Sequence, residues 1–456
     1  MLPDDVLLEI FEFYNNYTYP PYSREIEAWQ TLFHVCRRWR SLVLESPRRL
    51  NLRLYCAQQT PTKDALDIWP SLPLIVAGNI TYPPGRNNII AALAQSNRIC
   101  EVFLEDFDGS GQLGKVLASM QGPFPGLTDL RLISYCLTQT VALDSFLNGS
   151  APRLRFLELS GILFPRVPNL LLSATHLVRL RLADIRIQPH SVLIPIEEMV
   201  DLLSALYSLD TFQLEFRASF RGWRSRSLPP RNRFILPALT QFHFKGVTRY
   251  LEDLVTFIDA PQLDIFRITF RRTLGPIDLN TPRLAQFINR TPKLSKRDAH
   301  VKFNDLRASV ALVSGSGTLE ISIPGRQLSS MAQVCNTSLP IPSMVEDLYI
   351  ESVLPDVRVG RNDAVTQWLR LLLPFTMVKN LYLSKQSAPG IAAALQELVG
   401  GRITEVLPNL QNIFVQGLEP SEPFQENIGQ FVAARKRSDH IITISAWDKG
   451  PNMTPM

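Results

Sequence analysis

Cysteine is scarce in this 456-residue chain: Cys36, Cys56, Cys100, Cys136 and Cys335 are odd in number, and no C-x-x-C occurs. That signals neither a disulfide framework nor a zinc site and fits a reducing compartment. Glycine is outnumbered by proline, 22 against 34, which is unlike a coiled coil or long helical bundle and suits many short elements with stiff corners. Charge is sparse too. Charged residues make up 20%, and 47 Lys+Arg against 42 Asp+Glu leave a net +5, too little for this length to imply a nucleic-acid partner. The start, MLPDDV, is acidic where a secretory signal is basic, so nothing directs export. Two stretches lack Asp, Glu, Lys and Arg, but 68–85 carries Pro70, Pro73, Pro83 and Pro84, and 327–345 is rich in Ser, Gln, Asn and Pro. Neither reads as a membrane span.

Catalytic signatures are equally thin. The six histidines, His34, His176, His190, His243, His300 and His440, have no spacing that puts two on one helix face for a metal. No G-x-S-x-G, G-x-G-x-x-G or G-x-x-x-x-G-K-[ST] is present, and GSGT at 315–318 reads as a turn. Each cysteine lies in or beside an apolar segment, where a buried thiol is expected rather than a nucleophile. Paired acids such as Glu197 and Glu198 sit at a helix start, where the dipole accounts for them. The expectation is a non-enzyme that needs no cofactor and no metal.

What the chain does have is apolar mass, 45% of its residues, enough for a large core. Residues 2–14, LPDDVLLEIFEFY, read as a helix opened by Pro3, with Asp4 and Asp5 complementing the dipole. Val6, Leu7, Ile10, Phe11, Phe13 and Tyr14 make its apolar stripe. A second helical stretch from about Arg24 to Glu45 carries Ile26, Trp29, Leu32, Phe33, Val35, Cys36, Trp39, Leu42 and Val43, and Pro47 ends it. Two helices cannot bury both stripes on each other, so some apolar surface must meet the rest of the chain or a second protein.

The pattern L-P-D-D-V-L-L-E-I-F followed by W-Q-T-L-F-H-V-C-R-R-W-R-S-L-V resembles the F-box, a helical module that docks a Skp-type adaptor. The succeeding SPRRLNLRLYC and DIWPSLPLIV resemble the segment after the F-box in a large group of fungal F-box proteins, so the likeness covers about residues 2–76. The stretch NNYTYPPYSREIE is longer than the connector of a minimal F-box. The resemblance implies that Leu2, Pro3, Val6, Leu7, Ile10, Leu32, Val35, Cys36 and Trp39 form the module's core or meet the adaptor, without dividing them between those roles.

Beyond residue 97 the form L-x-x-L-x-L returns, as ICEVFL (99–104), LTDLRL (127–132), LRFLEL (154–159), LVRLRL (177–182), LDTFQL (209–214), LTQFHF (239–244), LDIFRI (263–268), VEDLYI (345–350), VKNLYL (378–383) and LQNIFV (410–415). Early spacings run near the ~20 to 29 residues of a leucine-rich repeat and sometimes beyond it. Helix-like pieces such as IEEMVDLLSALYS and IAAALQELVG lie between copies. Strand then helix, repeated, predicts parallel strands stacked so that neighbours bury each other's apolar side. The Asn usual at the ninth position is replaced by Tyr135, Ile162 and Ile185, so the array is irregular. From about Asn289 to Ser343 the pattern lapses, leaving TLEISIP as a strand and SSMAQVCNTS as a helix, an imperfect repeat pair; FQENIGQFVAARKR and HIITISAW supply a closing helix and strand.

The expected fold is therefore α/β: a helical F-box over 1–50, a connecting segment with the first array elements over 51–96, an irregular leucine-rich-repeat-like arc over 97–447, and a disordered tail over 448–456. Period-two alternation sends the fifth residue of each motif to the open side of the sheet: Phe103, Arg131, Glu158, Arg181, Gln213, His243, Arg267, Tyr349, Tyr382 and Phe414. The last three put aromatics side by side, a candidate target-binding patch. Arg217, Arg221, Arg224, Arg226, Arg231 and Arg233 surround Trp223 in a basic run, which reads as a solvated loop or a grip for phosphate, RNA or an acidic protein patch; no nucleic-acid-binding fold accompanies it. The resemblance implies the substrate-recognition subunit of a Skp/cullin/F-box ubiquitin ligase, cytoplasmic or nuclear, partnered by the adaptor, through it a cullin, and a protein target. The alternatives are a Skp-bound scaffold outside any ligase and a nucleic-acid binder using the 217–233 run.

Overall fold

The computed structural model describes residues 2–16, 28–57, 66, 71–107, 112–135, 146–164, 169–184, 186–187, 194–216, 233–271, 279–294, 298–304, 306–314, 317–325, 328–337, 344–352, 361–400, 402–417 and 424–447. The chain is mixed α/β and most strand pairs are parallel. It divides into two compact units, Met1–Leu209 and Asp210–Met456. Strand–helix repeats touch mainly their sequence neighbours, so the division falls inside the repetitive stretch, and the first helices share a unit with the strands that follow them.

The first unit opens with α1 (Asp4–Asn16), α2 (Ala28–Phe33) and α3 (Arg37–Glu45). The helix expected over 24–45 is thus broken into two. His34 and Val35 close a turn onto Thr31 and Leu32, and Cys36 turns extended (φ −159°) to cap α3, its Sγ accepting from the Trp39 N–H at 3.5 Å. Periodicity ran through the break because the residues on either side keep similar spacing.

The strands follow: β1 (Leu54–Ala57), β2 (Leu74–Asn79), α4 (Pro83–Leu93), β3 (Ile99–Asp106), α5 (Gln112–Leu117), β4 (Asp129–Ser134), β5 (Phe156–Ser160), β6 (Leu163–Phe164), α6 (Asn169–Ser173), β7 (Arg179–Ala183), β8 (Arg186–Ile187) and α7 (Ile196–Ser204). Their sheet runs β1-β2-β3-β4-β5-β7, parallel throughout, with β6 and β8 as a small separate ribbon.

The second unit comprises β9 (Thr211–Glu215), β10 (Phe234–Ile235), β11 (Gln241–Gly246), α8 (Thr248–Leu254), β12 (Ile258–Asp259), β13 (Ile265–Phe270), α9 (Pro282–Asn289), β14 (Asp298–Phe303), β15 (Arg307–Ser314), β16 (Gly317–Pro324), α10 (Leu328–Thr337), β17 (Asp347–Ser352), α11 (Arg361–Leu372), β18 (Asn380–Leu383), α12 (Ala388–Gln396), β19 (Asn412–Gln416), α13 (Phe424–Arg437) and β20 (Thr443–Trp447). Its sheet runs β9-β11-β13-β16-β15-β14-β17-β18-β19-β20. Here the expectation of an imperfect repeat pair over 289–343 is corrected. After β13 the chain places β14 against β17, then returns by antiparallel β15 and β16 to reach β13. Ala308, Val310 and Leu312 of β15 are all buried, a period-two signal that the L-x-x-L-x-L search passed over.

Every L-x-x-L-x-L copy contains a strand, and its three motif positions are buried, as in Leu127/Leu130/Leu132 and Leu239/Phe242/Phe244. The turns before β5, β7, β11, β13, β18 and β19 repeat one device: a carbonyl of the previous copy accepts two successive N–H groups, as with Arg155 and Phe156 onto Thr128, and Gln411 and Asn412 onto Lys379. Stacking of copies thereby satisfies backbone groups that a lone turn leaves to water. Inside the second unit Phe212, Phe242 and Phe266 stack at 5.1 Å centroid spacing, and Phe287 of α9 meets Phe266 edge-on at 5.6 Å.

Candidate functional site

Two surfaces emerge, one in each unit. In the first, α1 is apolar around most of its circumference, and one side of it is buried. Leu7, Leu8 and Phe11 are buried with Trp29, Leu32 and Val43, and Phe11 packs on Trp39 at 4.7 Å. The indole of Trp29 donates to the Arg53 carbonyl at 2.9 Å, tying α2 to the chain ahead of β1. On the other side Leu2 (52% exposed), Val6 (38%), Ile10 (47%) and Phe13 (63%) follow one another at helical spacing, and Val35 (56%) stands exposed between α2 and α3. Arg38 pins this arrangement, its guanidinium bonding Asp4 at 2.5 Å and donating to the Leu2 carbonyl at 2.6 Å. The nine residues singled out from the sequence therefore separate: Leu7 and Leu32 face the core, Trp39 is half-buried against Phe11, and Leu2, Pro3, Val6, Ile10, Val35 and Cys36 remain outward.

On the open side of the sheets, the fifth-position residues form continuous cross-strand ladders. The first unit aligns Phe103, Arg131, Glu158 and Arg181, with Arg181 paired to Glu158 at 3.1 Å and the Arg131 guanidinium over the Phe156 ring at 4.3 Å. The second aligns Gln213, His243, Arg267 and Glu320, crosses Ala311, and continues as His300, Tyr349, Tyr382, Phe414 and Ser445. Arg267 lies 3.7 Å from Glu320.

The C-terminal half of this second ladder is a roll of parallel rings. His300–Tyr349, Tyr349–Tyr382 and Tyr382–Phe414 centroids are 4.4, 4.2 and 4.6 Å apart, all within 9° of parallel. Trp447 leans back across the roll, 5.5 Å from Tyr382 and 5.9 Å from Tyr349 at steep angles. Burial, then the neighbouring Tyr382 and Asp347, push the Tyr349 hydroxyl well above the usual phenol range, and burial with Asp347 raises Tyr382. Beside the rings runs a one-way hydrogen-bond chain: Thr443 to Asn412 (2.5 Å), Asn412 to Asn380 (2.7 Å), Asn380 to Asp347 (2.7 Å).

Tyr349, Tyr382 and Phe414 are thus adjacent across β17, β18 and β19. His300, Glu320 and Trp447 were missed because they lie on strands outside the searched motif or after it. The polar chain was legible: Asp347, Asn380 and Asn412 hold the third motif position, which shares a face with the fifth. The basic run 217–233 lies outside the described residues except Arg233, and the tail 448–456 lies outside them entirely. Among the described residues no group of His, Cys, Asp or Glu could hold a metal ion, and no helix is long and apolar enough to cross a membrane.

No protein-family model matches the chain, and no curated protein matches it.

Proposed function

We propose that this protein is the substrate-recognition subunit of a Skp/cullin/F-box ubiquitin ligase: the α1–α3 module, read as an F-box, docks a Skp-type adaptor, and the repeat domain, read as an irregular leucine-rich arc, captures a protein target. The observation that carries the reading is the outward stripe of Leu2, Val6, Ile10 and Phe13 with Val35, on a helix whose other side is already packed. An apolar helix face left in water costs solubility without stabilising the fold, and its ordinary use is an interface. The protein contributes proximity; holding a target lysine near a charged conjugating enzyme raises the effective concentration of the reacting amine.

Co-expression with a Skp-type adaptor and a cullin tests this. Val6→Glu/Ile10→Glu, which alters only exposed positions, is expected to abolish adaptor co-purification while leaving the circular dichroism and melting temperature of the chain intact. Retention of the adaptor by that variant defeats the reading. Recovery of the adaptor without cullin selects the scaffold alternative.

A further inference from the structure

The ring roll stops one strand short of the sheet's end. Phe414 presents its inner face to Tyr382, but on its outer side the next ladder position is Ser445, a small exposed residue on the terminal strand β20. Trp447 contacts the tyrosines and makes no ring contact with Phe414. Among the described residues no ring covers the face of Phe414 above Ser445, where Thr443 and Asn412 form an uncharged rim. Cross-strand neighbours in a sheet are ~4.8 Å apart, close to the observed ring spacing, so this place is the size of one more flat group.

Strand β20 supplies a second, independent observation. It pairs only with β19 among the described residues. Thr443 donates its N–H to the Gln411 carbonyl at 2.9 Å; in a parallel ladder alternate residues face the partner, so Ile444 and Ala446 turn their N–H and C=O groups to the free edge. The segment HIITISAW contains no Lys, Asp, Glu or Pro, and Thr443 through Ala446 are exposed. Natural edge strands are usually blunted by charge, proline, a bulge or a cover; β20 has no charge, no proline and no register shift against β19.

We propose that the free edge of β20 receives an extended, uncharged segment of a target protein as an added strand, and that an aromatic side chain of that segment completes the ring roll by stacking on Phe414 over Ser445. Main-chain bonds to Ile444 and Ala446 would supply attachment and the ring selectivity, the division of labour of strand addition. A second copy of this chain is disfavoured as occupant: a five-residue edge buries far less than the ~1,200 Å² of a stable pair. The absence of charge along β20 also argues against an acidic or basic segment. The proposal rests on the target-capture part of the functional reading and not on adaptor docking.

The test uses the full-length protein and two capped heptapeptides, Thr-Val-Thr-Phe-Thr-Val-Thr and the same sequence with Ala for Phe. Binding of the Phe peptide should slow hydrogen exchange at the Ile444 and Ala446 amides, and it should bind about 3- to 10-fold tighter than the Ala peptide, the range an aromatic pair contributes. Ala446→Pro removes an outward N–H at a position where an edge strand tolerates proline, and should weaken both peptides by roughly tenfold. Ser445→Phe fills the seat from within and should erase the preference for Phe while retaining amide protection. The proposal is overturned by equal binding of the two peptides to wild type, by undiminished binding to Ala446→Pro, or by exchange protection that rises with protein concentration in the absence of peptide. Adaptor co-purification measured on the same variants separates the two ideas, since Ala446→Pro should keep the adaptor whether or not peptide binds.

Discussion

At the scale of single residues, the side chains that sequence alone would send to the surface include some of the most constrained. Arg435 is fully buried in α13, where its guanidinium donates to the carbonyls of Val406, Leu407 and Pro408 at 2.9 to 3.1 Å and lies over Phe431. It closes a carbonyl-rich turn in which the Leu407 carbonyl also accepts the Leu410 N–H at 3.1 Å. Arg435→Met should cost about 2–3 kcal/mol in urea unfolding, because charge-assisted bonds are lost and buried acceptors are stranded; a change within experimental error would show that water replaces the guanidinium. Thiols sort by the same criterion. Cys36 is exposed, whereas Cys56 and Cys335 are buried, with desolvation raising their thiols to about 11 and about 12. A maleimide reagent at neutral pH is expected to label Cys36 rapidly and those two slowly. If the outward face of α1–α3 binds the adaptor, complex formation should shield Cys36, and unchanged labelling in the complex would place the adaptor elsewhere.

At the scale of elements, the repeat succeeds where backbone geometry permits close stacking of copies. Gly161 follows β5 with φ of +68°, and an added Cβ would run into the Ser134 carbonyl of the preceding copy. Gly161→Ala therefore meets both left-handed strain and a backbone clash, and should lower stability by roughly 1–3 kcal/mol, read as an earlier thermal midpoint. Gly390 in α12 is set against Trp368 of α11, where a Cβ would sit 2.6 Å from the indole nitrogen; alanine there should separate the two helices, with a change in near-ultraviolet dichroism as the readout. The strands were largely legible because motif positions one, four and six must all be apolar to be buried on one side. The hairpin β14–β16 was not legible by that template. Antiparallel return within a parallel array changes the order of strands in space without leaving any mark on the spacing of leucines, and it is this return that brings His300 beside Tyr349.

At the scale of the whole molecule, the thiols and phenols with raised values act in one direction. Tyr349, Tyr382, Cys56, Cys100 and Cys335 all lie above their usual ranges, with burial as the leading cause. Each favours its neutral form when folded, so above its unfolded value the unfolded chain releases the proton first and the folded state binds more protons. The slope of unfolding free energy with pH is then negative. Stability should fall progressively above about pH 8, through the unfolded thiol and phenol ranges near ~8.5 and ~10, and Tyr349→Phe should make the fall shallower above pH 10. A melting temperature flat from pH 8 to 11 would contradict that sign. The net charge of +5 adds little to this dependence, because the opposite charges on the open faces are largely matched locally, as in Arg181–Glu158 and Lys245–Glu215.

The amino-acid order by itself determined the strands of the L-x-x-L-x-L copies and which side of each is apolar, since a period of two and the recurrence of that motif depend only on local geometry. It also put apolar side chains around most of the first helix. Which of those side chains face inward was decided by tertiary packing, because Leu7 and Ile10 are chemically alike and only the presence of Trp29, Leu32 and Val43 on one side distinguishes them. The same holds for the ring roll: alternation can nominate Tyr349, Tyr382 and Phe414, but neighbours in space are set by strand order, and that order brought His300 to one end of the roll and Ser445 to the other.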